Sequence, residues 1–157
     1  MGKKILILCT GNSCRSQIAE GYLRYFIAEN NNANTNEIAK KNDAEVYSAG
    51  IETHGVNPKA IATMCEDGID ISQNKTKDVF EFFKEGRLYH YVVTVCDEAS
   101  AARCPIFPGV HKKINWSFTD PSSLTGTTEE KLAATRAVRD KIKTAVQDLI
   151  SFMFVLG

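Results

Sequence analysis

The chain has 157 residues, enough for one domain with its own core. Lysine plus arginine and aspartate plus glutamate each number 19, so no global charge directs the chain to nucleic acid or to a membrane surface. Lys3-Lys4 is followed by only four apolar residues, too few for a secretory signal, and no stretch approaches the ~20 apolar residues of a membrane helix. Leu6 stands where a myristoylation signal needs Ser or Thr. A single cytoplasmic domain over residues 1–157 is expected. Five cysteines in that compartment are expected to be reactive or buried rather than structurally bridged.

Ile5–Leu8 is a continuous apolar run of strand length, which suits a strand covered on both faces. From about Ser16 the spacing turns helical, with Ile18, Ala19, Tyr22, Leu23 and Phe26 three and four residues apart. Glu29–Asp43, rich in asparagine, reads as a long exposed loop. Val46–Gly50 predicts a second strand. Asn57-Pro58 opens a helix to about Glu66, with Gly68 as its stop. Asp78–Gly86 reads as a short helix. Tyr91–Val95 is the strongest β-branched run and predicts a central strand ending at Cys96. Lys113–Trp116 predicts a fourth strand. Glu129–Phe152 predicts a long helix with Leu132, Val138, Ile142, Val146, Leu149 and Met153 near one face. The apolar tail Phe152–Leu156 extends that helix or meets a partner. Strands alternating with helices imply an α/β fold with a parallel sheet and helices on both faces. There is no internal repeat.

The most informative segment is Cys9-Thr10-Gly11-Asn12-Ser13-Cys14-Arg15-Ser16, between the first strand and the first helix. In open α/β sheets ligands bind at such a junction. Amides at a helix N-terminus lack intrahelical partners, and the helix dipole favours negative charge. Gly11 permits a turn with its amides inward, and Asn12 tolerates left-handed angles. Thr10, Gly11, Asn12, Ser13, Cys14 and Arg15 are therefore expected to form a nest for a tetrahedral oxyanion, gripped by the planar Arg15 fork. The same field favours the thiolate of Cys9, which becomes a nucleophile beneath the anion. The Ser16 hydroxyl is placed to donate to that sulfur. No Gly-Lys-Ser/Thr follows, so this is not a P-loop, and it is not a GxGxxG turn. A plain strand-turn-helix junction with a buried cysteine would explain neither Arg15 nor the small polar residues.

Cys9–Ser16 (CTGNSCRS) resembles the signature of the low-molecular-weight protein tyrosine phosphatases and of the arsenate reductases that share their fold. The resemblance to the reductases extends over Gly11–Glu20, Tyr47–Ala60, Ile69–Ser72, Val92–Cys96, Cys104-Pro105, Trp116–Pro121 and Arg136–Ile142. It implies a four-stranded parallel sheet in the order 2-1-3-4. It implies that Cys9 attacks the oxyanion, Arg15 binds it and Ser16 stabilises the thiolate. It also implies a relay. Cys9 forms an adduct with arsenate, Cys96 attacks Cys9 to release arsenite, and Cys104 attacks Cys96 to free Cys9. The Cys96–Cys104 disulfide then passes to an external thiol reductant, thioredoxin or glutaredoxin. Ala99–Arg103 consists of helix formers, so Cys104 is expected on a short helix. Seven residues separate Cys96 from Cys104, one more than in the reductases that the chain resembles. In a helix one extra residue rotates a side chain by about 100 degrees.

Asp120-Pro121 by itself reads as a turn. The resemblance makes Asp120 the general acid that protonates the leaving oxygen. It also places Asn12, Glu20, Ser48, Thr76 and Asp78 where some reductases hold a potassium ion beside the loop, the alternative being an ordinary polar network. Phosphatases of this fold wall their pocket with aromatics. Here Ile51–Gly55 and Asp120–Ser123 offer no aromatic wall for a phosphotyrosine, so a small bare oxyanion fits better. A phosphatase acting on tyrosine phosphate or small phosphoesters is the alternative, because Cys9, Arg15 and Asp120 suffice for it. A non-catalytic anion-binding domain is a third reading. Cys96 and Cys104 have their own alternative as buried apolar residues. Zinc fits poorly: Cys9, Cys14, Cys96 and Cys104 number four, but the seven-residue gap is not a short knuckle. Cys14 and Cys65 are expected to be structural.

Overall fold

The computed structural model describes residues 3–33, 44–95, 102–121 and 125–155. Four parallel strands, β1 (Lys3–Cys9), β2 (Ala44–Gly50), β3 (Tyr91–Thr94) and β4 (Lys112–Asn115), form one sheet in the order β2-β1-β3-β4. Helices α1 (Arg15–Ala33), α2 (Pro58–Glu66), α3 (Val79–Lys84) and α4 (Thr128–Val155) complete the described architecture. This is the α/β order that the sequence resemblance implies. Ile7 lies opposite Ser48 on one side and Val93 on the other, and Cys9 lies opposite Gly50. Because all pairings are parallel, Cys9, Gly50, Thr94 and Asn115 end at one edge of the sheet.

The two-residue period of β1 sorts its side chains between two cores. Ile5, Ile7 and Cys9 pack with Ile18, Tyr22, Ile142, Val146 and Met153 under α1 and α4. Leu6 and Leu8 pack with Val79, Phe82, Tyr89, Val92 and Phe107 on the other face. Both faces are covered, so the strand reads as an unbroken apolar run. The Asn57 side chain caps α2 by accepting from the Lys59 amide at 2.8 Å, and Pro58 opens its first turn. At its end Gly68 has φ +76°, and the Gly68 and Ile69 amides donate to Cys65 O (2.9 Å) and Met64 O (3.0 Å). This is a Schellman stop, and it fixes where α2 leaves the sheet.

Two elements depart from expectation. The loop predicted from Glu29 begins later, because α1 runs on to Ala33. Neither Gly nor Pro interrupts residues 29–33, and each added residue gains a backbone bond at modest cost in propensity. The rest of that loop, residues 34–43, lies outside the described residues. Cys104 is not on a helix: Ala102–Cys104 form a turn. Pro105 restricts the residue before it to extended angles and supplies no amide, so a helix cannot run through Cys104. Residues 96–101 lie outside the described residues. The apolar tail continues α4 as far as Val155. No described helix is long and apolar enough to cross a membrane.

Candidate active site

β1 ends at Cys9 and α1 begins at Arg15, so the five residues between them form the loop. The segment after β2 holds this loop from outside. The amides of Ile51, Glu52, His54 and Asn57 donate to the carbonyls of Cys9 (3.3 Å), Thr10 (2.8 Å), Gly11 (3.3 Å) and Ser13 (2.9 Å). In a trans peptide the N–H points opposite to the C=O. The amides of Thr10, Gly11, Asn12 and Cys14 therefore point away from that segment, toward the hollow of the loop. Asn12 takes φ +50°, the left-handed turn that curls the loop. The approach is close: a Cβ on Gly50 would lie 2.7 Å from the Asn12 nitrogen. The loop is packed in, with Gly11, Asn12 and Cys14 buried and Thr10 and Ser13 half-buried.

Arg15 is buried at the start of α1. Its Nη1 donates to Phe118 O at 3.1 Å, and its Nη2 lies 3.6 Å from Asp120 Oδ2. Its Nε is buried and has no hydrogen-bond partner among the described residues. A buried, unsatisfied guanidinium N–H costs free energy unless something accepts from it. An anion in the loop would satisfy it. Replacing Arg15 by Lys keeps the charge but removes the fork. The affinity for inorganic phosphate, read by calorimetry, is expected to fall roughly 10- to 150-fold, equivalent to one charge-assisted bond of about 1.5–3 kcal/mol. A fall of less than about threefold would show that the fork does not hold the anion.

The cysteines separate by environment. Cys9 is buried at the floor of the loop. Burial, reinforced by the charges of Asp120 and Cys9, pushes the Cys14 thiol up to about 12, so Cys14 is an inert thiol. Ser16 is buried, and its hydroxyl accepts from Asn12 Nδ2 at 2.9 Å, which leaves its own proton to donate. Cys65 is exposed on α2, away from the loop. Cys104 is half-buried; burial pushes its thiol up, the charge of Cys9 adds to this, and Lys113 and Arg103 oppose it. Cys104 packs against the core that holds Leu8, the residue before Cys9. Cys96, expected at the end of the central strand, lies outside the described residues.

Beneath the loop lies a buried polar network. Asn12 Nδ2 donates to Ser16 Oγ (2.9 Å) and Ser48 Oγ (3.0 Å), and Ser48 Oγ donates to Glu20 Oε2 (3.0 Å). Glu20 Oε1 pairs with Arg24 Nη2 at 3.1 Å. Asn12 Oδ1 accepts from Gln17 Nε2 (3.3 Å) and from the Lys77 amide (2.9 Å). Asp78 Oδ1 accepts from the Phe80 amide and so caps α3. Thr76 is half-buried in the same connection. Of the five residues suggested for potassium, Asn12, Glu20, Ser48 and Asp78 have oxygens already engaged by protein donors. Asn12, Ser48 and Glu20 form the buried polar network beneath the loop, and Asp78 caps α3. Among the described residues no group of three or more His, Cys, Asp and Glu is placed to hold a metal ion.

Three contributors carry no signature in sequence. Phe118 enters through its carbonyl, on Arg15. Gln17 enters through its amide, which ties Asn12 to the Lys75 carbonyl. His54 enters through its ring. Its imidazole rests on Gly11, where a Cβ would lie 2.6 Å from His54 Cδ2, and its Nε2 lies 3.1 Å from Glu52 Oε2.

The chain matches the family described as Low molecular weight phosphotyrosine protein phosphatase over residues 4–153. It is 43% identical over 151 residues to an arsenate reductase of Staphylococcus aureus (strain Newman), covering 95% of this chain and 97% of that one. It is 43% identical over 145 residues to an arsenate reductase of Halalkalibacterium halodurans, covering 90% of this chain and 91% of the relative. Among solved structures, an arsenate reductase in the phosphate binding state superposes with a TM-score of 0.70 at 29% identity, covering 96% and 98% of the two chains. Fold, loop and sequence agree: the chain belongs to the low molecular weight phosphotyrosine protein phosphatase family.

Proposed function

We propose that this chain reduces arsenate to arsenite. The observation that carries the reading is Cys104, a second cysteine packed against the core that holds Leu8, the residue before Cys9. Hydrolysis of a phosphoester has no use for that thiol, whereas reduction needs somewhere to send two electrons. The 43% identity to arsenate reductases supports the same substrate.

The loop amides and Arg15 bind arsenate, and Cys9 Sγ attacks the arsenic. Asp120 gives its proton to the departing oxygen, which leaves as water. Cys96 thiolate then attacks Cys9 Sγ. The S–As bond breaks with its electron pair staying on arsenic, which departs as arsenite, and the two thiols become a Cys9–Cys96 disulfide. Cys104 thiolate attacks Cys96 Sγ and expels Cys9 as thiolate. An external dithiol reduces the resulting Cys96–Cys104 bond. Thioredoxin is the donor we assign, with glutaredoxin as the competing source. A cytoplasmic location fits, because regeneration requires a reduced thiol pool.

Phosphoester hydrolysis is the accompanying reading, because the family is a phosphatase family and Cys9, Arg15 and Asp120 suffice for it. The deciding experiment is arsenate-dependent NADPH oxidation with the thioredoxin and glutaredoxin systems supplied in turn. Oxidation with thioredoxin is expected. If neither system turns over while p-nitrophenyl phosphate is hydrolysed, the phosphatase reading replaces the reductase. Phosphate binding with neither activity would leave a non-catalytic anion-binding domain.

A further inference from the structure

A cavity of about 150 Å³ lies on the β3–β4 side of the sheet, lined in part by Leu8, Val92, Cys104, Phe107, Val110 and Lys113. Its walls are mostly apolar. A thiol there resists ionisation, because a thiolate loses hydration in such surroundings. The proposed relay nevertheless requires Cys104 to attack as a thiolate.

We propose that Lys113, which lines this cavity together with Cys104, stabilises the Cys104 thiolate through its ammonium charge and so serves as a positioning residue for its attack on Cys96. The strand dictates the placement. Successive residues of β4 point to opposite faces. Lys112 points to the α4 side, where its Nζ lies 4.2 Å from the Phe152 ring centroid. Lys113 therefore points to the opposite face and lines the cavity. Lys113 makes no ion pair with a carboxylate among the described residues. The charged and titratable described groups acting on Cys104 come from three places: Lys113 on β4, Cys9 at the end of β1, and Arg103 beside it in the chain. Of these, Lys113 is the strongest that favours the thiolate. Ionisation releases the Cys104 proton to solvent. The thiolate then bonds to Cys96 Sγ, the Cys9–Cys96 bond breaks, and Cys9 leaves with the electron pair.

This inference rests on the proposed role of Cys104, and its test does not need turnover. The reduced protein is pulsed with iodoacetamide across a pH series, and modification of Cys104 is quantified by peptide mass spectrometry. Loss of a nearby positive charge raises the thiol's ionisation midpoint. Lys113→Met is expected to move the midpoint up by roughly 0.5–1 pH unit. The rate below the midpoint falls only about two- to threefold, because a more basic thiolate is also a better nucleophile. Lys113→Arg should restore the wild-type midpoint. Lys112→Met, on the other face, should leave it in place. Added salt should shrink the difference between Lys113→Met and wild type. An unmoved midpoint in Lys113→Met overturns the inference, as does an equal movement in Lys112→Met. A parallel single turnover with arsenate separates the two levels. If wild type forms the Cys96–Cys104 bond while the Lys113→Met midpoint stays put, the relay stands and this inference fails. If the midpoint moves and no such bond forms, the charge coupling stands and the relay fails.

Discussion

Asp120→Asn is expected to slow turnover by roughly 10²–10⁴-fold, the usual contribution of a positioned general acid. Phosphate binding is expected not to weaken. The reason is geometric. Asp120 Oδ2 lies 3.6 Å from Arg15 Nη2, so the carboxylate and a bound anion compete for one guanidinium. Removing the carboxylate charge removes that competition while the loop amides stay in place. Loss of rate with retained or improved binding assigns Asp120 to the chemical step. Leaving groups sharpen the test. p-Nitrophenolate departs with little help from a proton, whereas a simple phenolate needs it. The rate loss should therefore be larger with phenyl phosphate than with p-nitrophenyl phosphate. A fall of less than about threefold with both esters would mean that the proton comes from another group.

The parts legible in sequence are those where a residue type does the work. The run Ile5–Leu8 announces a strand covered on both faces, and the alternation of Ile7 and Leu8 between two cores is the reason that it does. Asn57, Pro58 and Gly68 mark the ends of α2 because a cap, a fixed φ and a left-handed residue are chemically specific. Arg15 could be placed because nothing else grips two oxygens with one plane. Backbone contributions leave no such trace. The turning of the loop amides depends on bonds from Ile51, Glu52, His54 and Asn57, through groups that nearly every residue possesses. The Phe118 carbonyl on Arg15 is hidden for the same reason. His54 was missed because its ring matters through contact with Gly11, forty-three positions away by residue number and adjacent only after β2 pairs with β1. The helix expected at Cys104 gives way to a turn by a local rule, because Pro105 restricts the residue before it.

That turn bears on the relay itself. In a helix, the extra residue between Cys96 and Cys104 would rotate the resolving thiol by about 100 degrees. Cys104 itself sits in a turn, where helical periodicity does not set its direction, and it packs against the core that holds Leu8, next to Cys9. Cys104→Ser is therefore expected to stop the cycle after one pass, with about one arsenite released per protein and steady-state reduction at least roughly 100-fold lower. Serine cannot displace a thiolate from a disulfide, so the Cys9–Cys96 bond should accumulate and be found by peptide mapping. Hydrolysis of p-nitrophenyl phosphate by the fully reduced variant should be spared, because Cys9, Arg15 and Asp120 remain. After one arsenate turnover that hydrolysis should also stop, since Cys9 is then locked in the disulfide, and dithiothreitol should restore it. Wild-type protein without reductant should instead accumulate Cys96–Cys104 and keep Cys9 reactive. Several arsenite equivalents from Cys104→Ser with glutathione as the sole added thiol would end the relay reading and point to glutathione acting directly on Cys9 or Cys96.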